Sequence, residues 1–198
     1  MAARNPIDVG ALRFAGLTME TFGDLETLLS EPGCSMARSC WCVAYRFSGK
    51  PPVDAGLPGR DGRRELLRKQ VQDGRFVGLV AYDTQGPVGW TSFGPREDFE
   101  VLRRSPIMKP VDDAPVWSIV CFVVPKGNRR QGVAGALLRA AQREAASRGK
   151  TLEAYPVDAG PDQHDDWLWF GTTSMFLAAG FKEVARRKPR RPVMRWTA

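Results

Sequence analysis

No stretch of this chain stays apolar for long. Its hydrophobic runs fall well short of the ~20 residues that a bilayer-spanning helix needs. The N-terminus, Met1-Ala-Ala-Arg-Asn-Pro6, has no signal-peptide core. No membrane role and a cytoplasmic location are the expectations. Side chains that handle protons are scarce too. Tyr45, Tyr82 and Tyr155 are the only tyrosines and His164 is the only histidine. The four cysteines, Cys34, Cys40, Cys42 and Cys121, form no regular extracellular framework and read as free thiols. No internal repeat and no domain break interrupt the 198 residues, a length that suits one domain with a sizeable core. A single domain over 1–198 is expected, with residues 1–9 as a loose arm.

Two familiar phosphate loops are missing. No Gly-x4-Gly-Lys-Ser/Thr run follows Val124, and no Gly-x-Gly-x-x-Gly opens a helix with an acidic residue about 20 positions on. What is present is different. The apolar, β-branched run Val116–Val124 predicts a strand. The basic turn Pro125-Lys-Gly-Asn128 follows, and then Arg129-Arg-Gln-Gly-Val-Ala-Gly135 opens a helix. A helix start offers backbone N–H groups without intrahelical partners and the positive end of the helix dipole. Together these make a phosphate site. Gly132 lets an oxygen approach the backbone, Ala134 and Gly135 keep the next turn low, and Arg129 and Arg130 add mobile charge. A diphosphate fits. The net charge of +7 favours anionic partners without choosing among them.

Around this centre the chain reads as alternating elements. Ala11–Leu17 predicts a strand, and a helix capped by Thr18 runs over Met19–Leu29. Residues 33–47 have no clear period, Ser48–Gly62 is a Pro/Gly-rich loop, and Arg63–Gln72 is a short charged helix. Phe76–Tyr82 and Pro87–Phe93 form a hairpin, and Gly94–Pro115 is a long connection. After the central strand and helix, Thr151–Val157 is a strand and Thr172 or Thr173 caps a short helix to Ala179. Phe181–Arg187 and Pro192–Trp196 close the chain as an antiparallel pair.

Arg129-x-x-Gly132-x-Ala134 and the element order resemble the GNAT superfamily of acetyl-CoA-dependent N-acyltransferases. Met175-Phe-Leu-Ala-Ala-Gly-Phe181 resembles that family's Leu-Tyr-x-x-x-Gly-Phe ending. The resemblance implies an α/β (α+β) fold: a central mixed, mostly antiparallel twisted sheet, flanked by helices, whose fourth and fifth strands splay apart around pantetheine. It implies acetyl-CoA as co-substrate and no metal. Phe122 and Val124, with Val123 between them, would face the pantetheine. Arg129, Arg130, Gln131, Gly132, Val133, Ala134 and Gly135 would hold the diphosphate. Ser174 and Phe176 would lie along the acyl arm. The chain departs from the family in two places. A proline stands one residue early, at Pro125, and the tyrosine that often protonates the leaving thiolate is replaced by Phe176.

Amine acetylation by direct attack needs a route for the amine proton and is helped by an acid at the leaving sulfur. Tyr155, on the strand beside the presumed splay, is the first candidate acid; equally it is a sheet tyrosine with a satisfied hydroxyl. Glu97 and Asp98 are the nearest candidate bases, against a reading as solvated loop carboxylates. Cys40, Trp41 and Cys42 stand where the family lines its acceptor pocket. Buried thiols, a zinc site completed by Cys121 or His164, and an acyl-cysteine intermediate are the other readings of that segment. His164 lies in an acidic, aromatic loop suited to a cationic amine or simply to solvent. Arg186-Arg-Lys-Pro-Arg-Arg191 is either a nucleic-acid patch or a solvated turn. The expected function is acetyl transfer to a small-molecule or peptide amine. A catalytically weak acyl-CoA-binding module and a nucleic-acid-associated basic protein are the rivals, and a homodimer is left open.

Overall fold

The computed structural model describes residues 6–47, 59–160 and 168–198. One seven-stranded sheet organises them, in the order β1-β2-β3-β4-β5-β7-β6. The strands are β1 (Arg13–Gly16), β2 (Gly78–Asp83), β3 (Gly86–Pro95), β4 (Val116–Val123), β5 (Thr151–Ala154), β6 (Lys182–Lys188) and β7 (Arg191–Trp196). The helices are α1 (Phe22–Ser30), α2 (Ser35–Cys40), α3 (Gly59–Gln72), α4 (Glu100–Arg104), α5 (Val133–Ser147) and α6 (Thr173–Ala178). All neighbouring strands are antiparallel except β4 and β5, which are parallel. This is a mixed α/β sheet, mostly antiparallel, with helices packed against it.

The strand β4 is central because its side chains are apolar on both faces; every residue but Cys121 is buried. It pairs with β5 for only four residues, from Val116 opposite Thr151 to Ile119 opposite Ala154. Beyond that point β4 runs on to Val123 while β5 has ended. A register shift sets Ser92 opposite Cys121 but Phe93 opposite Ile119, so Val120 is a bulge residue without a partner on β3. A bulge re-aims side chains. Ile119 and Phe122 both pack into the cluster under α5, whereas Val120 and Cys121 turn to the opposite side.

Helix α5 forms from strong helix formers, with Val133, Ala136, Leu137, Leu138, Ala140, Ala141 and Ala145 as its buried residues. Ala134 is only half-buried. The helix sits close because β3 carries Gly89, where a Cβ would come within 2.8 Å of Val133 and 3.0 Å of Leu137. Leu137 and Leu138, each 0% exposed, stabilise the pairing of helix and sheet by ~1.5–3 kcal/mol apiece. The other face of the sheet holds α1 with Trp41, Cys42, Leu67 and Trp90.

Several boundaries differ from the pattern reading. The first helix starts at Phe22, not Met19, because Thr18 and Thr21 hydrogen-bond each other and close a turn ahead of it. Helix α3 begins at Gly59, four residues before the expected Arg63, so its charged first turn is helical. The segment of unclear period contains α2, and the long connection contains α4. The arm expected to be loose is tied at its described end. Asp8 caps a 3-10 turn over Val9–Ala11, and the Ile7 N–H donates to Gln131 Oε1 at 2.8 Å.

Candidate active site

The turn between β4 and α5 is held by its own side chains and by the chain before α2. Lys126 N–H donates to Pro32 O at 2.9 Å. Arg129 donates from Nε to Val124 O at 3.1 Å and from Nη2 to Gly33 O at 2.9 Å. Asn128, buried, donates to Val88 O at 3.3 Å, and Gln131 donates to Gly127 O at 2.9 Å. Arg129 is therefore a brace and not the mobile charge expected of it. Carbonyls at a strand end and a turn are strong acceptors, and a planar guanidinium can serve two at once. Arg130, exposed, is the charged side chain at the mouth.

Arg130 and Gly132 adopt left-handed φ values of 59° and 82°. Successive turns of this kind make a concave nest of amides. Gly132 stands at the N-cap position without a side-chain cap, and the first helical bond runs from Ala136 N–H to Gly132 O at 3.0 Å. Among the described residues, the backbone N–H groups of Gln131, Gly132, Val133, Ala134 and Gly135 have no partner. Five adjacent donors at the positive end of a fifteen-residue helix suit an anion with several oxygens.

A cavity of about 690 Å³ leads from this nest along the end of β4 to α2 and Tyr45. Leu168, Trp169, Thr172 and Met175 form the wall where β5 has ended. Trp169 fills part of the gap, and its carbonyl accepts from Phe122 N–H at 2.6 Å. The N–H of Phe122 is thus occupied, contrary to its expected role toward pantetheine. That of Val124, two residues on, has no backbone partner among the described residues and lies at the cavity. Val123 also lines it.

The expected catalytic residues are elsewhere. Tyr155 is 1% exposed. Its hydroxyl is 2.9 Å from Ser118 Oγ and donates to Glu153 Oε1 at 2.8 Å, and Glu153 in turn pairs with Arg195 at 2.8 Å. Burial, then the Glu153 charge, pushes its pKa well up. It belongs to a buried network at the paired end of β4 and β5 and does not line the cavity. Glu97 is exposed, and Asp98 pairs with Arg75 at 3.0 Å and with buried Arg46 at 3.6 Å; neither reaches the cavity. On α6, Ser174 is exposed and bonds Thr172, while Phe176 is 0% exposed between Phe122 and Phe181. The helix offers Met175 to the cavity instead, because its short apolar face must first fill the core.

The Cys40-Trp41-Cys42 segment divides. Trp41 and Cys42 have left-handed φ of 50° and 49° and end α2. That twist sends Trp41 away to stack on Phe22 at 5.9 Å, and it leaves Cys40 and Cys42 lining the cavity beside Cys121. Trp41 is therefore core, with its indole N–H buried and unpartnered. No three metal-ligating side chains are placed to hold a metal ion among the described residues. His164 lies outside them. At the β6–β7 turn, Arg186 binds Glu183 and Asp158, Arg187 binds the carbonyls of Ile107, Lys109 and Pro110, and Arg190 binds Asp158 O. The basic tip is mostly spent inside the fold.

Pattern reading missed Tyr45. It lines the cavity, and the Trp169 indole N–H donates to its hydroxyl. Burial raises its pKa first, and that hydrogen bond opposes the rise. The one available signal was its place in the segment of unclear period. Arg46, 2% exposed, was missed as well; burial lowers its pKa to about 10.

Residues 45–164, more than half of the chain, match the model of the "Acetyltransferase (GNAT) family". No curated protein matches in sequence. Among solved structures, the ribosomal-protein-alanine N-acetyltransferase of Brucella melitensis is 18% identical with a TM-score of 0.53, covering 94% of this chain and 99% of that one. An uncharacterized protein of Bacillus halodurans is 15% identical with a TM-score of 0.57, covering 94% and 83%. A GNAT-family acetyltransferase of Streptococcus agalactiae is 8% identical with a TM-score of 0.53, covering 94% and 95%. At such identities the likeness is one of fold. No helix among the described residues is long and apolar enough to cross a membrane.

Proposed function

This chain belongs to the GNAT acetyltransferase family, and from that membership we propose that it moves an acetyl group from acetyl-CoA to a primary amine by direct attack. Membership itself implies acyl-CoA-dependent acetylation of some acceptor. The finer reading treats residues 1–198 as one acyltransferase domain. The observation that carries it is the run of five N–H groups, Gln131 to Gly135, without partners among the described residues, at the mouth of a cavity that continues to Tyr45.

In this reading the nest holds the CoA diphosphate and Arg130 adds screening charge. Arg129 positions the loop rather than binding. Val124 N–H faces the acyl arm, where a strand amide can polarise a thioester carbonyl. Tyr45 protonates the departing thiolate in place of the family's tyrosine at the position of Phe176. A thiol pKa of ~8.5 makes that demand modest. No carboxylate lines the cavity among the described residues, so water carries away the amine proton.

The binding-module rival rested on Phe176, and Tyr45 supplies the missing hydroxyl from another element. The nucleic-acid rival rested on arginines that are engaged intramolecularly. Calorimetry with coenzyme A, followed by thiol release across a panel of amines, tests the proposal. Micromolar uptake with turnover on some primary amine is expected. Uptake without turnover on any acceptor would favour the module, and no uptake would overturn the reading entirely.

A further inference from the structure

Amine transfer as proposed above makes no use of the thiols. Yet Cys40, Cys42 and Cys121 all line the cavity, from two elements far apart in sequence. Cys121 is turned there by the bulge in β4, and Cys42 by the left-handed end of α2. The Cys121 thiol donates to Phe122 O at 3.8 Å, and Cys121, the Trp90 indole and the buried Arg46 guanidinium lower the Cys42 pKa against its burial. Donors and a cation gathered around one sulfur favour its thiolate, the nucleophilic form. The three thiols differ accordingly. Cys121 leads the causes that lower Cys42. Burial first, and then the Cys42 charge, pushes Cys40 up to about 11. Cys121 is raised well above the usual thiol range by Cys42.

We propose that Cys42 is an acyl-accepting nucleophile that takes the acetyl group from acetyl-CoA when no amine is bound. The Cys42 sulfur bonds to the thioester carbonyl carbon, and the bond from that carbon to the CoA sulfur breaks. CoA leaves as a thiolate and takes the proton that Cys42 gave up. One thioester replaces another, so no oxidant, reductant or further energy source is needed, and added CoA reverses the step. The acetyl-enzyme is a resting state that direct attack by an amine bypasses. The inference rests on the acyl-CoA reading of the cavity.

The test mixes the full, reduced chain with acetyl-CoA and no amine, then measures intact mass. One acetyl group per chain is expected. It should be removed by neutral hydroxylamine or by excess CoA, map to Cys42 by peptide analysis, vanish in Cys42→Ser and persist in Cys34→Ser. Mapping on the unaltered chain keeps the result decisive even if Cys42→Ser fails to fold, which circular dichroism would reveal. Coenzyme A uptake by calorimetry without any acetyl-protein would overturn the inference and leave the transferase reading standing. A hydroxylamine-resistant label, or one on Cys40, Cys121 or a lysine, would also overturn it. Absence of CoA uptake would sink both readings together.

Discussion

The loop end of the cavity and its Tyr45 end are built from different kinds of group. At the loop end the exposed polar groups are backbone amides, Gln131 to Gly135, presented by one short continuous segment. At the Tyr45 end they are side chains, Tyr45, Cys40, Cys42 and Cys121, brought together from α2, the residues after it, and β4. Backbone donors ask only for the right φ and no obstructing Cβ. A side-chain cluster asks for a bulge, a left-handed helix end and a packed wall at once. The loop end therefore depends on few side chains, and the Tyr45 end on many.

The sharpest way to break this contrast is Gly132→Glu. It puts a Cβ at φ 82°, where Val9 would be 3.3 Å away, and a negative charge at the nest. Coenzyme A affinity should fall at least roughly 100-fold by calorimetry, about 2.8 kcal/mol, with circular dichroism unchanged. Near-normal affinity would show that the amides are not the site.

Next comes the pair of tyrosines. Tyr45→Phe should lower turnover roughly 100-fold with little change in the KM for acetyl-CoA, because only proton delivery is lost. Tyr155→Phe should instead leave turnover close to normal and cost ~1–3 kcal/mol of stability in denaturant titration, since Glu153 loses a buried donor. The opposite pattern would return the acid role to Tyr155.

Smaller effects separate bracing from binding at the loop end. Arg129→Ala should lower stability by ~1–3 kcal/mol, having removed bonds to two carbonyls, and should weaken CoA in consequence. Arg130→Ala should weaken CoA, less so at high salt, because an exposed charge is screened. If Arg130→Ala cost stability and Arg129→Ala did not, the assignment of brace and binder would be reversed.

The smallest effects lie away from both ends. Glu97→Gln should leave the rate and its pH profile unchanged, and a shifted acid limb would bring that carboxylate back as a base. Asp112 is held at about 2 by Arg195, below its ordinary 3.8. A carboxyl depressed on folding stabilises above its unfolded pKa, and that contribution is lost as pH falls from near 4 toward 2. Asp112→Asn should therefore flatten the acid limb of the stability curve without touching turnover.

Most of the sheet was legible because its strands are period-two or wholly apolar runs between turn residues, as at Val116–Val123 and Gly86–Pro95. The strand, turn and helix of the β4–α5 loop were legible because an apolar β-branched run, a glycine and a set of strong helix formers follow one another there. The structure gives Tyr155 its second reading, a sheet tyrosine with a satisfied hydroxyl, and takes Phe176 from the acyl arm into the core, for a common reason. Each sits on an element bordering the splay, but the side of the element that it faces depends on what packs against it. Glu153 and Arg195 take the tyrosine into a buried network, and Phe122 and Phe181 take the phenylalanine into the core. The bracing of Val124 O and Gly33 O by Arg129 was not legible because no local pattern tells a brace from a ligand.

By itself the amino-acid order determined the alternation of strands and helices, the strand that ends in an amide-rich helix mouth, and the absence of any Walker or dinucleotide loop. These are local properties, set by side-chain period, β-branching and the conformational freedom of glycine over a few residues. Only the tertiary structure decided that Phe122 gives its N–H to Trp169, that Cys40 and Cys42 share a cavity with Cys121, and that Tyr45 rather than Tyr155 faces it. Those outcomes depend on a one-residue bulge in β4 and a left-handed pair after α2. Their effect appears only when segments some eighty residues apart in the chain close on each other.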